Sequence, residues 1–355
     1  MVNYYELGPN KRLNEIVFAG THDAGIDRGG SGVQTQDLDI LGQAKAGVRF
    51  FDIRIAAAVT SESHASGRPV AELRAFHADD KVVLHLNRKG VMLKGVSNPV
   101  KIEQSKLGGG AFGMGLGSIL KEARDYVLSQ EGKNEFLILK FDKCSNWQHI
   151  ANACQALLPD VIFTARGNLN IRTLKELAGH VVVLFSAKGL AEIPINSPGI
   201  LGFKNLSGDK ATYVDDYNGL QYYGKGGTSP FNPVNKQKQN ITKQKKLMTG
   251  AAGMDNPAII GMMYWTTTGL VESIEKRDKQ MWEPPNVAKM KTLWGQGLGD
   301  FVNARVSLPS SNPLAEAQQR RSFFPNIVMV DFASGPRCAI IRGLNDLSAS
   351  HITSL

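Results

Sequence analysis

The sequence predicts an α/β protein built on a parallel sheet, either open or closed into a barrel. Three observations carry that reading. Short apolar runs of strand length alternate with segments of helical periodicity along the whole chain. The composition, 42% hydrophobic and 21% charged over 355 residues, is that of a globular protein with a sizeable core. No internal repeat and no clean linker cuts the chain in two.

Taken in order, residues 13–20 (LNEIVFAG) and 47–55 (GVRFFDIRI) read as strands. Residues 118–129 (SILKEARDYVLS) put Ile119, Leu120, Ala123, Tyr126 and Val127 on one helical face. A buried-type strand at 135–140 (EFLILK) and a helix over 146–158 follow. Residues 171–178 form a short helix before the strand at 180–186 (HVVVLFS), and further strands fall at 258–266 and 326–332. Three segments break the rhythm. Residues 56–117 read as a long insertion rich in Gly and Ser, ending in LGGGAFGMGLG. Residues 204–250 are polar and turn-rich, and 279–314 mix Trp282, Trp294, Met281 and Met290 with prolines and lysines.

The formal charge of +9 favours an anionic partner, which could be nucleic acid or an acidic membrane. No nucleic-acid motif accompanies the charge, so nucleic acid is set aside. LGGGAFGMGLG lacks the Gly-Lys-Ser/Thr ending that cradles nucleotide phosphates. Cys144, Cys154 and Cys338 form no CxxC pair and read as free buried thiols rather than zinc ligands or bridges. Glu6, Lys11, Arg12 and Glu15 interrupt the apolar run that a secretory leader needs. No stretch approaches the roughly 20 apolar residues of a membrane span. These features give the expectation of a soluble chain, cytoplasmic or exported without a leader, touching membranes peripherally.

Two clusters point to chemistry. Gly20-Thr21-His22-Asp23-Ala24-Gly25 follows a strand directly, so His22 sits where strand ends of α/β barrels present functional groups. In Arg49-Phe50-Phe51-Asp52-Ile53-Arg54, strand alternation sets Asp52 and Arg54 on one face. Opposite charges within an apolar strand are costly unless paired or used, and a plain buried ion pair remains open here.

The string GTHDAG, then Gln36 and Gln43, then GVRFFDIR, resembles the start of the X-region of phosphatidylinositol-specific phospholipases C in their bacterial, metal-independent form. A histidine-bearing strand, SILKEARDYV, a strand ending in lysine (LILK), GNLNIRTLKELAGHVVVL and IVMVDF continue the likeness, in order, over about residues 13–335. The resemblance implies a distorted (β/α) TIM-like barrel forming one domain over residues 1–355, and a monomer. It also implies an enzyme, a phosphodiesterase that cleaves the glycerol side of phosphatidylinositol or a related phospholipid through a cyclic phosphate. His22 would be the general base and Asp331 would orient it. Asp23 would pair with a second histidine that acts as general acid, and Arg54 would bind the phosphate. A carboxylate on a histidine's far nitrogen fixes the tautomer and stabilises the imidazolium, which suits such pairs.

Both His77 (LRAFHADD) and His85 (VVLHLNRKG) end short apolar strands, and the small residue after His77 favours it as the acid. No cofactor is expected. Calcium needs several carboxylates, whereas this chain has Arg54 and Lys140 where the calcium-dependent relatives carry acidic ligands. Asp142 is the carboxylate that keeps calcium open. Lys140 and Lys188 are the expected substrate-binding cations. The chain departs from the bacterial pattern at Ser186, where an arginine is expected, and Asp215, Asp216 and Tyr217 are only candidates for the head-group pair. Lysines 236, 238, 243, 245 and 246, and Trp282 and Trp294 with Lys279, Lys289 and Lys291, have the character of a membrane-facing surface. The partner expected is therefore an anionic phospholipid surface and its head group. The alternatives are a soluble glycerophosphodiester or cyclic phosphate as substrate, and a head-group-binding module without catalysis.

Overall fold

The computed structural model describes residues 2–78, 83–207, 212–226, 238–244, 258–267, 273–290 and 325–353. Eight parallel strands close into a barrel. In chain order they are β1 (Phe18–Thr21), β2 (Val48–Ile53), β8 (Phe136–Phe141), β9 (His180–Phe185), β10 (Ile200–Asn205), β11 (Gly219–Tyr223), β12 (Ile260–Trp265) and β13 (Pro325–Val330). Neighbours follow that order, and β13 returns to pair with β1 through Phe18↔Ile327 and Thr21↔Val330. The seam between β11 and β12 is short, with Tyr222↔Ile260 and Tyr223↔Gly261 as its registered pairs.

The strands are near-continuous apolar runs because a parallel barrel buries both faces, one against side chains of the interior and one against helices. β2, β8 and β13 are buried at every position. The helices supply the outer layer: α1 (Ile40–Ala46), α2 (Leu116–Leu128), α3 (Trp147–Leu157), α4 (Leu174–Leu177), α5 (Ala187–Ala191), α6 (Ile274–Met281) and α7 (Gly335–Thr353). α2 shows the periodic stripe that drives such packing. Leu116, Ile119, Leu120, Ala123, Tyr126 and Val127 are its buried residues, and burying each large apolar side chain contributes about 1.5–3 kcal/mol. At the N-terminal end of the strands, buried Arg49 donates to Glu135 at 2.6 Å and lies over the rings of Tyr4 and Tyr126.

The segment 56–117, expected as a long insertion with short strands only at His77 and His85, is a second sheet of five strands. Its strands are β3 (Ile55–Ser63), β4 (Pro69–His77), β5 (Val83–Leu93), β6 (Val100–Leu107) and β7 (Ala111–Gly115), in the spatial order β3-β6-β5-β4-β7. β3 also pairs with β4, so the first four strands close on themselves. The glycines of LGGGAFGMGLG serve close packing. A side chain at Gly113 would stand 2.0 Å from the Gly25 carbonyl oxygen, and one at Gly110 2.0 Å from that of His77. β7 thereby presses directly on the turn after β1 and on the end of β4.

Candidate active site

The C-terminal ends of four strands meet over one mouth of the barrel. β1 ends into His22, β2 into Arg54, β4 at His77 and β13 into Asp331. His22 Nδ1 lies 3.2 Å from Asp331 Oδ1, and its Nε2 lies 3.4 Å from Asp23 Oδ2. The same Asp23 oxygen stands 2.5 Å from His77 Nδ1, while Asp23 Oδ1 pairs with Arg54 Nε at 3.1 Å. The two imidazole rings sit nearly perpendicular, 6.5 Å apart between centroids. His22 and His77 are 21% and 28% exposed, whereas the carboxylates beneath them are at most 1% exposed. A wet histidine pair therefore rests on two dry carboxylates.

The backbone is bent to make this possible. Asp23 adopts φ +44°, a left-handed conformation that costs a non-glycine residue on the order of 1 kcal/mol or more. Side chains from the next segment hold it there. Thr35 donates its hydroxyl to the Asp23 carbonyl at 2.9 Å, and Gln43 donates to Ala24 O at 2.8 Å. Gln36 joins the two strands that carry His22 and Asp331. Its amide donates to His22 O at 3.1 Å and Val330 O at 3.3 Å, and its oxygen accepts from Ala333 N at 3.0 Å. On the far side, Arg337 donates to the Asp331 carbonyl at 3.0 Å and pairs with buried Asp278 at 2.6 Å. Burial pushes the Asp278 carboxyl up to about 8 against the pull of Arg337.

Electrostatics follow from this packing. Burial alone would lower the His22 pKa, but the charge of Asp23 and the contact with Asp331 outweigh it and push the group up to about 9. Burial would raise the Asp23 carboxyl, yet His22, Arg54 and His77 together hold it well below the usual carboxylate range. Asp331 is moved upward by burial, only partly offset by His22.

Below this cluster, inside the barrel, Lys140 is 2% exposed. Its ammonium reaches Asp52 Oδ1 at 2.9 Å and Asp142 Oδ2 at 3.1 Å and lies 4.7 Å over the Phe203 ring. Burial would lower its pKa, but Asp52, with Tyr222, Asp142 and Tyr264, raises it well above the ordinary value. The ammonium of Lys140, expected to bind substrate, is thus already held by two carboxylates. Among the described residues, no group of three or more His, Cys, Asp or Glu side chains could hold a metal ion.

Not every expected residue joins the cluster. His85, expected at the end of a strand, is instead the third residue of β5, where it pairs with Glu103 at 3.1 Å and is 48% exposed. Lys188, on α5, is 73% exposed, with Glu192 of the same helix 4.0 Å away. Asp215 and Tyr217 precede the first residue of β11, so they lie toward the N-terminal ends of the strands, away from His22. There Asp215 O accepts from Asn168, and the Tyr217 hydroxyl packs against Gly202. Trp282 is no surface anchor. It is half-buried against the core with the Arg337 guanidinium 5.1 Å over its ring. Trp294, Lys236, Lys245, Lys246 and Lys291 lie outside the described residues. Sequence reasoning passed over Tyr264, whose ring stands 6.3 Å from that of His22. Its position at the end of an apolar strand was the available signal, but nothing in AIIGMMYWT separates it from core.

No family model and no curated protein matches the chain. Solved structures of similar fold do exist. A mutant of the phosphatidylinositol-specific phospholipase C of Staphylococcus aureus is 15% identical, covers 95% of this chain and 95% of its own, and superposes with a TM-score of 0.52. A structure concerned with modulating the membrane binding of that enzyme gives the same values. A double mutant of it, 16% identical over 94% of this chain and 93% of its own, gives 0.50. At these identities the likeness is one of fold.

Proposed function

We propose that this chain is a phospholipase C-type phosphodiesterase. It would cleave the glycerol side of phosphatidylinositol, or of a related phospholipid with a hydroxyl next to the phosphate. One observation carries the reading: two solvent-reachable histidines 6.5 Å apart, each with Nδ1 against a buried carboxylate, beside an arginine on the same Asp23. His22 takes the proton of the neighbouring hydroxyl. That oxygen attacks phosphorus, the bond from phosphorus to the glycerol oxygen breaks, and His77 donates its proton to the departing alkoxide. The products are a cyclic phosphodiester and diacylglycerol. Asp331 orients His22, and Asp23 does the same for His77 while anchoring Arg54 toward the phosphate. A guanidinium suits the charge that develops there.

The fold shared with the Staphylococcus aureus phosphatidylinositol-specific phospholipase C supports this substrate class, as does an anionic lipid surface for a chain of charge +9. The test is a panel of phospholipids with product identification by phosphorus NMR. A cyclic phosphodiester appearing with diacylglycerol is the expected result. Turnover confined to soluble glycerophosphodiesters, or no turnover of any phosphodiester, would overturn it.

A further inference from the structure

Among the described residues, the second sheet leaves the first half of β5 largely exposed, and this stretch stands near His77. β5 and β6 pair from Val83↔Leu107 to Arg88↔Ile102. The root of this ribbon is tied to the site. Val83 and Leu107 pack on the small cluster of Ala56, Phe76 and Ala78, and the last two of these flank His77. One residue beyond that root, Leu84 is 58% exposed. Side chains alternate across the ribbon, so Leu84 and Lys106, opposite each other, share a face with Leu86 and Arg88. Farther along that face Gln104 and Ile102 are buried and Arg88 Nε donates to Gln104 at 2.7 Å, so its open part is the Leu84–Lys106 end. Lys106 and Arg88 are exposed, and Leu86 is half-buried.

The charge of this segment is lopsided. Residues 83–107 hold Arg88, Lys89, Lys94, Lys101 and Lys106 against one acid, Glu103, which is held by His85. An exposed leucine bordered by cations, with no acid on its face among the described residues, is matched by apolar chains lying under anionic head groups. The tryptophan that the sequence offered for this purpose, Trp282, is instead packed beneath Arg337.

We infer that the Leu84–Lys106 end of the β5–β6 ribbon is the surface by which this chain docks on an anionic lipid bilayer. The inference rests on the phospholipid reading of the site and deepens it, since docking there sets the lipid surface next to His77. Leu84 enters the head-group layer, and Lys106 and Arg88 lie against the phosphates.

The experiment measures sedimentation of the full chain with phosphatidylcholine vesicles, with and without phosphatidylserine. Wild type is compared with Leu84→Ser, Lys106→Glu and Arg88→Ala, and turnover of a soluble phosphodiester and the Tm are followed alongside. Each cation removed is expected to weaken binding about fivefold, and charge reversal at Lys106 more than that. The expected pattern is wild-type binding to anionic but not neutral vesicles, lost in the variants, with soluble turnover and Tm unchanged. Wild-type binding that all three variants retain would overturn the assignment of this ribbon while leaving the membrane reading intact. Failure of wild type to bind anionic vesicles would overturn the docking proposal altogether, as would tighter binding to DNA or RNA than to lipid. Vesicle binding lost in the variants of a chain that cleaves no phosphodiester would uphold the ribbon and discard the catalytic reading.

Discussion

Replacing Asp331 with Asn removes a charge while keeping the side chain's size, and its consequence can be worked through. His22 is held at about 9 against an ordinary 6.5, with Asp23 and Asp331 supplying the upward push against burial. At pH 7 only about 1% of the free protein then carries His22 as the neutral base. The wild-type kcat/KM on a soluble nitrophenyl phosphodiester, whose leaving group needs no proton from His77, should therefore climb about tenfold per pH unit from 7 toward 9. A neutral amide in place of the Asp331 carboxylate cannot stabilise the imidazolium, so the limb should move to lower pH by about one unit or more. The plateau should fall about 10²–10⁴-fold, because the tautomer is no longer fixed. Stability offers a second readout. A raised histidine pKa contributes stability that is fully present below about pH 6.5 and is lost as pH rises through about 9. The gap in urea midpoint between wild type and D331N should narrow across that window. A wild-type profile flat from pH 7 to 9, or the same limb in both proteins, would refute the reasoning.

Further outcomes follow from other contacts. Lys140→Met strands Asp52 and Asp142, so urea unfolding should show a loss of about 3–5 kcal/mol, and adding Asp52→Asn should recover part of it. Gln36→Ala frees the strand ends under His22 and Asp331. Steady-state kinetics should show kcat down about 10–100-fold with KM little changed. Excess chelator should leave turnover unaltered, since the carboxylates that calcium would use are engaged by Lys140 and Arg54. Activity lost in chelator and restored by calcium would contradict that.

The barrel was legible in the sequence where the physics is one-dimensional. Runs such as HVVVLF and NIVMV are buried on both faces, so their strand character needs no partner to be read. The second sheet was not legible. β5 alternates between exposed and half-buried residues over Val83–Gly90 without a two-residue period, because its neighbours come from a ring of strands rather than a flat layer. β10, β11 and α7 were also missed. β11 is a five-residue strand following a polar stretch, and α7 has little apolar periodicity. At the site, His22 and the charged pair Asp52 and Arg54 could be singled out because each lies at or just after a strand's end, whereas Asp331 and the role of Asp23 rested on the resemblance alone. Between His77 and His85 the local pattern favoured His77 only through the small Ala78 after it, since both end apolar runs. The choice depends on β4 folding back so that His77 meets Asp23, a contact between residues 54 positions apart. Trp282 misled for the opposite reason: amphipathic neighbours say nothing of Arg337, which covers it from α7.

The central claim, a base at His22 and an acid at His77, is tested most directly by changing the leaving group. A nitrophenolate departs without a proton, whereas a glycerol alkoxide needs one. His22→Ala and His77→Ala are assayed on two soluble phosphodiesters that share one head group, one with an alkyl and one with a nitrophenyl leaving group. His77→Ala should lose about 10²–10⁴-fold on the alkyl ester but about tenfold or less on the nitrophenyl ester, while His22→Ala loses its activity on both. Rescue of His22→Ala by the better leaving group, or equal losses for His77→Ala on the two esters, would contradict the assignment.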